Sequence, residues 1–462
     1  MKVKRKWQIV SLFFMLLFLA SCGAGNEAKD SKEALKNRES PSAKSLETGF
    51  KLWVITDVHY IAPSLHDDGK KFDFIVSTSA GKDLNYQTET LEALVMQAKK
   101  EQPDVLVVSG DLTLNGEKQS AIELADYFKE IEKNGTEVYV IPGNHDISDG
   151  WAKKYRGDQA EATEQILPKD FKSIFKKNGY QQAISSDPTS LSYLVAPRKN
   201  LWIMMIDSNK YSWSASKGAP VTSGSIREDT YQWMSENFQL AKEQGAKIIP
   251  VMHHNLMDHN QLVNRGFTID KAENLQDFFA KEKVDFVLSG HIHAQDIASL
   301  DVKGHKIYDI VTGSFMMAPN PIGEFTYQDG SFTYQRQTTD VDGWAKETGA
   351  TNLDLLQHSA YLAENMQKDG ESFAIGQIYE EQWADKSQLD SVATFIGNAN
   401  QRFFGGESYV APENVKETQE QLAKNPAYQV LQQHPESSLT SYIDSIYIDQ
   451  DTNNVQMEFP FN

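Results

Sequence analysis

Six short apolar runs recur between residues 51 and 289, and they constrain the fold more than any other feature of the chain. They occupy residues 51–56, 104–109, 137–141, 201–206, 247–252 and 285–289. Each run is too short for a typical helix and is rich in Val, Ile or aromatic residues, which predicts a buried strand. Apolar residues at helical spacing from Leu91 to Ala98 and from Leu124 to Ile131 predict helices after the first and second strands. Strands that alternate with helices indicate an α/β fold.

Residues that can bind metals follow five of the six runs. They are Asp57 and His59, Asp111, Asn144 with His145 and Asp146, His253 with His254, and His291 with His293. In open α/β sheets the loops at the carboxyl ends of the strands form a common crevice, so we expect these side chains to converge. One histidine at a strand end is usually structural, whereas the joint pattern is hard to obtain by chance. Asp57 and His59 are two residues apart, as are His291 and His293. On a straight strand both members of a pair would point to one side, so each pair could bind one ion.

The motifs "DVHY", "GDLTLNG", "GNHD", "MHH" and "GHIH" occur in this order. Together they resemble the calcineurin-like metallophosphoesterase superfamily over residues 50–343. The resemblance implies a two-sheet β-sandwich flanked by helices, with two divalent metal ions. One ion would be held by Asp57, His59, Asp111 and His293. Asp111 would bridge to the second ion, held also by Asn144, His253 and His291, although the adjacent His254 leaves the register open by one residue.

The ligand types themselves indicate which metals the site would take. Imidazole, carboxylate and amide groups suit Mn²⁺, Fe²⁺ or Zn²⁺. Asp57 and Asp111 bring two negative charges against the four positive charges of two divalent ions, so the site would attract a phosphate. Two metals about 3.5 to 4 Å apart lower the pKa of a shared water, so a metal-bound hydroxide is the expected nucleophile.

His145 is the expected catalytic side chain. The resemblance implies that it protonates the leaving oxygen or stabilises charge on the phosphate, with Asp146 expected to orient its imidazole. The alternative is a histidine that only holds the loop beside Asn144.

The motif set is most similar to the cyclic-nucleotide phosphodiesterase branch, which makes a 3',5'-cyclic nucleotide the first candidate substrate. Alternative activities are an extracytoplasmic phosphatase and a hydrolase of glycerophosphodiesters, nucleotides or teichoic-acid fragments. A different class of function is a non-catalytic surface lipoprotein that binds metal or solute. That class would be expected to lack some of the ligands, and here none is missing from the sequence.

The N-terminus predicts export and lipid anchoring. Residues 1–21 combine a basic start, an apolar stretch and a small-residue ending, which is typical of a signal peptide. Cys22, the only cysteine of the chain, ends the sequence "LASC", which resembles the lipobox of bacterial lipoproteins. Residues 22–49 are polar and predict a flexible tether. We therefore expect a protein held by its lipid on the outer face of the cytoplasmic membrane; the alternative is a free cysteine in an ordinary signal peptide.

The charge of the chain argues against a nucleic-acid polymer as partner. The formal net charge is -19, and removal of Lys2, Lys4, Arg5 and Lys6 with the signal peptide would bring it to about -23. Such a chain repels long polyanions, and no basic stripe interleaved with aromatics is present. The expected partner is a small phosphodiester.

The remaining sequence predicts a second, C-terminal domain. Residues 50–343 are predicted to form the catalytic domain, which ends in a hairpin around Asp329 and Gly330. Residues 344–462 are predicted to form a mostly helical domain. A sharper hypothesis is that this domain overhangs the cleft and limits substrate size, with "RFFGG" (402–406) as a mobile contact. The other histidines, including His259, match no motif and predict surface or structural roles.

Overall fold

The computed structural model describes residues 44–383 and 386–461, without the side chains of residues 386 and 387. The predicted signal peptide, Cys22 and most of the predicted tether lie outside the described residues. Within the described residues, every one of the six apolar runs forms a strand, and two of them keep the predicted bounds, 201–206 and 247–252.

One sheet has six strands, in the order β15-β14-β13-β1-β2-β3. The strands are β1 (Lys51–Ile55), β2 (Val105–Val108), β3 (Glu137–Val140), β13 (Pro321–Gln328), β14 (Ser331–Thr338) and β15 (Gln456–Pro460). β1, β2 and β3 are parallel, and β13 pairs antiparallel with β1. β13 and β14 form the predicted hairpin. The carboxyl ends of β1, β2 and β3 therefore meet at one edge of this sheet.

The second sheet has seven strands, in the order β11-β12-β10-β9-β8-β7-β6. The strands are β6 (Ser185–Ser186), β7 (Tyr193–Arg198), β8 (Leu201–Ile206), β9 (Lys247–Met252), β10 (Phe286–Ser289), β11 (Asp296–Val302) and β12 (His305–Val311). β8, β9, β10 and β12 run parallel to one another. A separate two-stranded sheet pairs β4 (Lys153–Arg156) with β5 (Gln159–Ala162).

The two large sheets pack face to face, as the alternation of their side chains requires. Leu52 and Val54 of β1 belong to the apolar cluster shared with Ile203 of β8 and Val251 of β9. Trp53 and the other outward residues of the first sheet pack instead against helices. The structure is thus the predicted two-sheet sandwich flanked by helices.

In the described part of the chain, six helices accompany the sheets. They are α1 (Lys70–Ser77), α2 (Gln87–Glu101), α3 (Lys118–Glu132), α4 (Pro168–Ile174), α5 (Glu228–Gln244) and α6 (Ala272–Glu282). Apolar residues of α2, α3 and α4 cover the first sheet, whereas those of α5 and α6 cover the second. The predicted helical faces from Leu91 and from Leu124 are the buried faces of α2 and α3.

The C-terminal region is helical, as predicted, except for its last strand. Its helices are α7 (Val341–Thr348), α8 (Leu353–Leu356), α9 (His358–Glu381), α10 (Lys386–Phe404), α11 (Val415–Lys424), α12 (Pro426–Leu431) and α13 (Ser438–Ile446). β15 then returns to the first sheet beside β14 and buries Phe459 between the two sheets. The predicted limit between residues 343 and 344 falls inside α7, and the division into domains stays a prediction.

The segment "RFFGG" lies at the end of α10 and beyond it. The carbonyl of Phe404 accepts a hydrogen bond from the backbone N–H of Gln295, over 3.0 Å. A side-chain carbon at Gly406 would come within 2.5 Å of the Gln295 side chain. The segment therefore supports the loop after β10, and its predicted role in limiting substrate size stays a prediction.

A buried ion-pair cluster ties the loop after β9 to the second sheet. His259 Nδ1 lies 2.6 Å from Asp296 Oδ2, and its Nε2 lies 3.1 Å from Asp309 Oδ2. Burial alone would lower the pKa of His259, but Asp309 and Asp296 together raise it to about 10. His259 is thus structural, one of the two roles that its sequence position predicts.

Replacing His259 by leucine should cost roughly 3 kcal/mol of unfolding free energy, because two buried carboxylates lose their cation. The folded pKa of His259 lies above the unfolded value of 6.5. Its contribution is therefore fully present below about pH 6.5 and disappears as the pH rises toward 10. Denaturant titrations at pH 6 and pH 9.5 should show the gap between wild type and variant shrinking. His434→Leu, whose partner Glu436 is exposed, should cost less than about 1 kcal/mol.

Candidate metal centre

The candidate metal ligands lie in loops just beyond the strands, not on straight strands as predicted. β1 ends at Ile55 and β10 at Ser289, before the pairs Asp57/His59 and His291/His293. These four residues and Asp111 have positive φ angles, between 45° and 72°. Such angles are uncommon for residues with a side chain. Backbone turns, rather than strand pleating, thus direct each pair into the same space.

Four side chains meet above the first sheet. His59 Nε2 lies 3.6 Å from Asp111 Oδ2 and 3.8 Å from Asp57 Oδ1. His293 Nε2 lies 3.2 Å from the same Asp57 oxygen and 3.1 Å from His59 Nε2. One ligand atom from each residue lies within 4.8 Å of those of the others, which is close enough for one ion to touch all four. This group is the set predicted for the first metal.

A second group shares Asp111 and draws on the second sheet. His253 Nε2 lies 3.4 Å from Asp111 Oδ2 and 3.1 Å from Asn144 Oδ1. His291 completes the group with a ligand atom within 4.8 Å of those of Asp111 and His253. Asp111, which follows β2, is thus the residue common to both groups, in the position predicted for the bridging ligand.

Backbone carbonyls fix the tautomers of both second-group histidines. His253 Nδ1 lies 3.0 Å from the carbonyl of Ser109, and His291 Nε2 lies 2.9 Å from that of Thr222. A carbonyl only accepts, so these nitrogens carry the hydrogen and the other ring nitrogen is left for a metal.

Hydrogen bonds show which of the adjacent histidines, His253 or His254, faces the metal centre. His254 Nδ1 lies 2.8 Å from Ser208 Oγ, and its Nε2 lies 2.9 Å from the carbonyl of Thr222. Both ring nitrogens of His254 thus have partners away from the site, and His253 is the one that faces Asp111.

Glycines allow the loops to approach one another. A side-chain carbon at Gly143 would lie 2.2 Å from the Asp111 carboxylate, and one at Gly290 would lie 2.1 Å from Thr56 Oγ1. A side-chain carbon at Gly110, where φ is 108°, would collide with the His253 ring. The glycines that precede Asp111, Asn144 and His291 thus make room for the ligands.

A family model described as calcineurin-like phosphoesterase matches residues 50–295, more than half of the 462 residues. The chain belongs to the calcineurin-like phosphoesterase family. A model for the C-terminal domain of cyclic nucleotide phosphodiesterase is similar to residues 340–453. The protein is therefore a phosphoesterase and a hydrolase, and it has a dinuclear metal site built from histidine and aspartate side chains.

Several solved structures are similar to this phosphoesterase. A dimetal phosphatase from Danio rerio is 12% identical, with a TM-score of 0.45 and with 63% of this chain and 97% of that chain covered. A purple acid phosphatase from yellow lupin (Lupinus luteus) seeds is 12% identical, with a TM-score of 0.39 and with 64% of this chain and 52% of that chain covered. No curated protein matches the chain.

The burial and charge of the candidate ligands are suited to binding metal ions. Asp57 Oδ1 is buried and accepts no hydrogen bond within the described part of the chain. Burial would raise the pKa of Asp57, but His293 lowers it well below its usual range, so the carboxylate is charged. His253 has a pKa raised to about 9 by Asp111 against the effect of burial, so a metal binding there displaces a proton.

His145 points at the metal centre from the loop after β3. Its backbone N–H donates to Asp111 Oδ1 over 2.8 Å, and its ring lies 5.3 Å from that of His59. His145 Nδ1 lies 3.0 Å from Asn115 Oδ1 and 3.7 Å from Asp149 Oδ2. The remaining nitrogen, Nε2, is the atom available to a substrate.

The prediction that Asp146 orients His145 is wrong. The Asp146 carboxylate accepts hydrogen bonds from the backbone N–H groups of Gly143, Leu112 and Thr113 and from the Thr113 hydroxyl. Asp146 therefore joins the loops after β2 and β3. Asn115 and Asp149 hold the imidazole instead, and sequence reasoning did not single out either residue.

Proposed function

We propose that this phosphoesterase hydrolyses small phosphodiesters, with 3',5'-cyclic nucleotides as its first substrate class. The observation that carries the proposal is the match of residues 340–453 to the C-terminal domain of cyclic nucleotide phosphodiesterase. It accompanies a complete set of candidate ligands for two metals. We propose Mn²⁺ or Fe²⁺ as the metals, with Zn²⁺ as the alternative.

Charge supports a small anionic substrate. Two divalent ions would outweigh the charges of Asp57 and Asp111, so a phosphate is attracted locally although the chain carries a formal net charge of -19. A metal pair bound by these residues would supply Lewis-acid activation of water and of the phosphoryl group. The chain itself supplies His145 Nε2 beside the centre, held by Asn115 and Asp149.

Two exposed tryptophans on the loops after β3 and β8 support a nucleotide. Trp151 lies in the loop after β3 that also carries His145, and it is 51% exposed. Trp213, in the loop after β8, is 57% exposed. A hydrogen bond of 2.8 Å from Ser148 Oγ to the carbonyl of Ser212 joins these two loops. Indole rings offer stacking surfaces for a nucleobase.

The test is a comparison of kcat/KM for the Mn²⁺-loaded protein on four substrate types. They are a 3',5'-cyclic nucleotide, a 2',3'-cyclic nucleotide, a glycerophosphodiester and an alkyl phosphate monoester. We expect the 3',5'-cyclic nucleotide to exceed the others by at least about tenfold. A higher kcat/KM for the monoester would favour the phosphatase alternative. A higher kcat/KM for the glycerophosphodiester would favour a lipid-headgroup hydrolase. Either result would contradict the proposed substrate.

We also propose that the protein is a lipoprotein on the outer face of the cytoplasmic membrane, anchored through Cys22. The basic start, the apolar stretch and "LASC" support this proposal. Among the described residues, no helix has the length and apolar character needed to cross a membrane. No nucleic-acid polymer is proposed as a partner, because the chain is acidic.

Cys22→Ala should abolish lipid attachment and release the protein from the membrane fraction. The measurement is fractionation together with the intact mass of the purified protein. Wild type should carry a mass increment of acyl chains on residue 22, and the variant should not. Recovery of the variant in the membrane at wild-type yield would contradict lipid anchoring, as would a wild-type protein secreted without the increment.

A further inference from the structure

One backbone carbonyl holds two histidines beside the metal centre. The Thr222 carbonyl oxygen lies 2.9 Å from His291 Nε2 and 2.9 Å from His254 Nε2. A carbonyl oxygen has two lone pairs, so it accepts a hydrogen bond from each ring. The two rings are neighbours, with their centroids 4.6 Å apart. His291 belongs to the second group of candidate ligands, whereas His254 belongs to neither group. His254 therefore binds the same atom that fixes the tautomer of a metal ligand.

The tautomer of His254 follows from its two partners. Its Nε2 carries the hydrogen, because the Thr222 carbonyl only accepts. The ring is fully buried, which favours its neutral form, so Nδ1 is an acceptor. Nδ1 lies 2.8 Å from Ser208 Oγ, whose hydroxyl donates to it. The Ser208 hydroxyl, the His254 ring and the Thr222 carbonyl thus form a hydrogen-bonded chain that ends on His291.

The loop after β8 carries the Thr222 carbonyl, and it rests on the His254 ring. Thr222 itself is exposed, although its carbonyl reaches two buried imidazoles. A side-chain carbon at Gly224 would lie 2.4 Å from the His254 ring, so the backbone packs directly on that ring. The backbone N–H of Asp270 donates to the Gly224 carbonyl over 2.9 Å. A surface segment is therefore held in register by a buried side chain.

We propose that His254 is a positioning residue for the second metal ion, because it holds the Thr222 carbonyl where that carbonyl orients His291. A histidine ligand binds a metal more tightly when its other ring nitrogen donates to an acceptor. That hydrogen bond fixes the ring orientation and raises the basicity of the ligating nitrogen. The Gly266 carbonyl, 3.2 Å from His291 Nε2, is a longer second contact. Loss of His254 should therefore weaken the binding of the second ion without abolishing it.

The effect should be specific to one of the two ions. Among the described residues, Asp57, His59 and His293 of the first group have no hydrogen bond to Thr222 or His254. The inference rests on the dinuclear centre and does not depend on which phosphoester is the substrate. Metal binding is measured apart from hydrolysis, so failure of the proposed function and failure of this inference would give different results.

The test measures Mn²⁺ binding to wild type and to His254→Phe by equilibrium dialysis with elemental analysis. Phenylalanine keeps a buried ring but donates no hydrogen bond to Thr222. One ion should bind about 10- to 100-fold more weakly, and the other should stay within about twofold of wild type. The Mn²⁺ concentration that half-activates hydrolysis of an activated phosphodiester should rise by the same factor. Saturating Mn²⁺ should restore most of the turnover, which it would not do for a disrupted fold.

His254→Gln and His358→Phe are the matched variants. The amide nitrogen of glutamine replaces Nε2 and can donate to the Thr222 carbonyl, so the weakened ion should regain most of its affinity. His358, in α9, is also buried, and neither of its ring nitrogens has a hydrogen-bond partner within the described part of the chain. His358→Phe should therefore leave the affinity for both ions unchanged.

Ser208→Ala tests the chain from its other end. It should weaken the second ion by a smaller factor in wild type and have little further effect in the His254→Phe background. Equal weakening of both ions in His254→Phe would overturn the positioning role, as would wild-type affinity for both. A glutamine variant no better than phenylalanine would overturn the hydrogen bond as its cause. If His254→Phe does not fold, His254→Asn, whose shorter amide ends before the Thr222 carbonyl, replaces it with the same expectations.

Discussion

Replacing Asp111 by alanine should lower phosphodiester hydrolysis by at least about 10³-fold. Asp111 belongs to both groups of candidate ligands found among the described residues, so its loss removes a ligand from each metal position. Metal-ion catalysis contributes several kcal/mol to transition-state stabilisation, and each 1.36 kcal/mol corresponds to about tenfold in rate. The measurements are steady-state turnover and elemental analysis. The metal content should fall from two ions per chain in wild type to at most one in the variant.

Asp187→Ala is the matched control for that variant. Asp187 is a buried carboxylate that accepts hydrogen bonds from Thr230 and Ser190, away from the metal ligands. Its loss should lower stability but leave two metals bound and the turnover per folded molecule intact. If Asp111→Ala kept two metals and more than a tenth of the wild-type turnover, the bridging role of Asp111 would be wrong.

Replacing His145 by alanine should lower turnover by about 10² to 10⁴ while both metals stay bound. The ring contacts Asn115 and Asp149 and is half-buried, so its removal leaves the carboxylates and the other imidazoles of the centre in place. If Nε2 protonates the leaving oxygen, the loss should be large for an alkyl leaving group. It should be small for a nitrophenolate, which leaves without a proton.

The leaving-group comparison separates the two roles considered for His145. An equal loss with alkyl and nitrophenyl diesters would indicate charge stabilisation rather than proton donation. Loss of metal together with activity would indicate that His145 only holds the loop around Asn144. His66→Ala is the matched control, because it removes a half-buried ring that stacks on Phe72. It should change neither turnover nor metal content.

The central strands could be predicted from the sequence because both of their faces are buried. The run "LWIMMI" is buried at every position and forms β8 with the predicted bounds. Of the four strands at the edges of the two sheets, β3 was predicted, whereas β6, β11 and β15 were not. β11 exposes part of one face, and β15 is mostly exposed and pairs with β14 across the whole helical region. A local apolar pattern contains no information on such long-range pairing.

The candidate ligands could be predicted because motifs record residue types at strand ends. Their backbone could not, since the positive φ angles of Asp57 and His59 arise from loop hydrogen bonds to Gly110 and Asp111. The partners of His145 were missed for the same reason. Asn115 lies within the quoted motif "GDLTLNG" and Asp149 lies four residues after His145, but their approach depends on how two loops pack.

Anomalous diffraction from crystals of the Mn²⁺-loaded protein tests the dinuclear centre most directly. The account predicts two manganese peaks about 3.5 Å apart. One should lie among Asp57, His59, Asp111 and His293, and the other among Asp111, Asn144, His253 and His291. A single peak, or a second ion held by His254 instead of His253, would contradict the proposed arrangement.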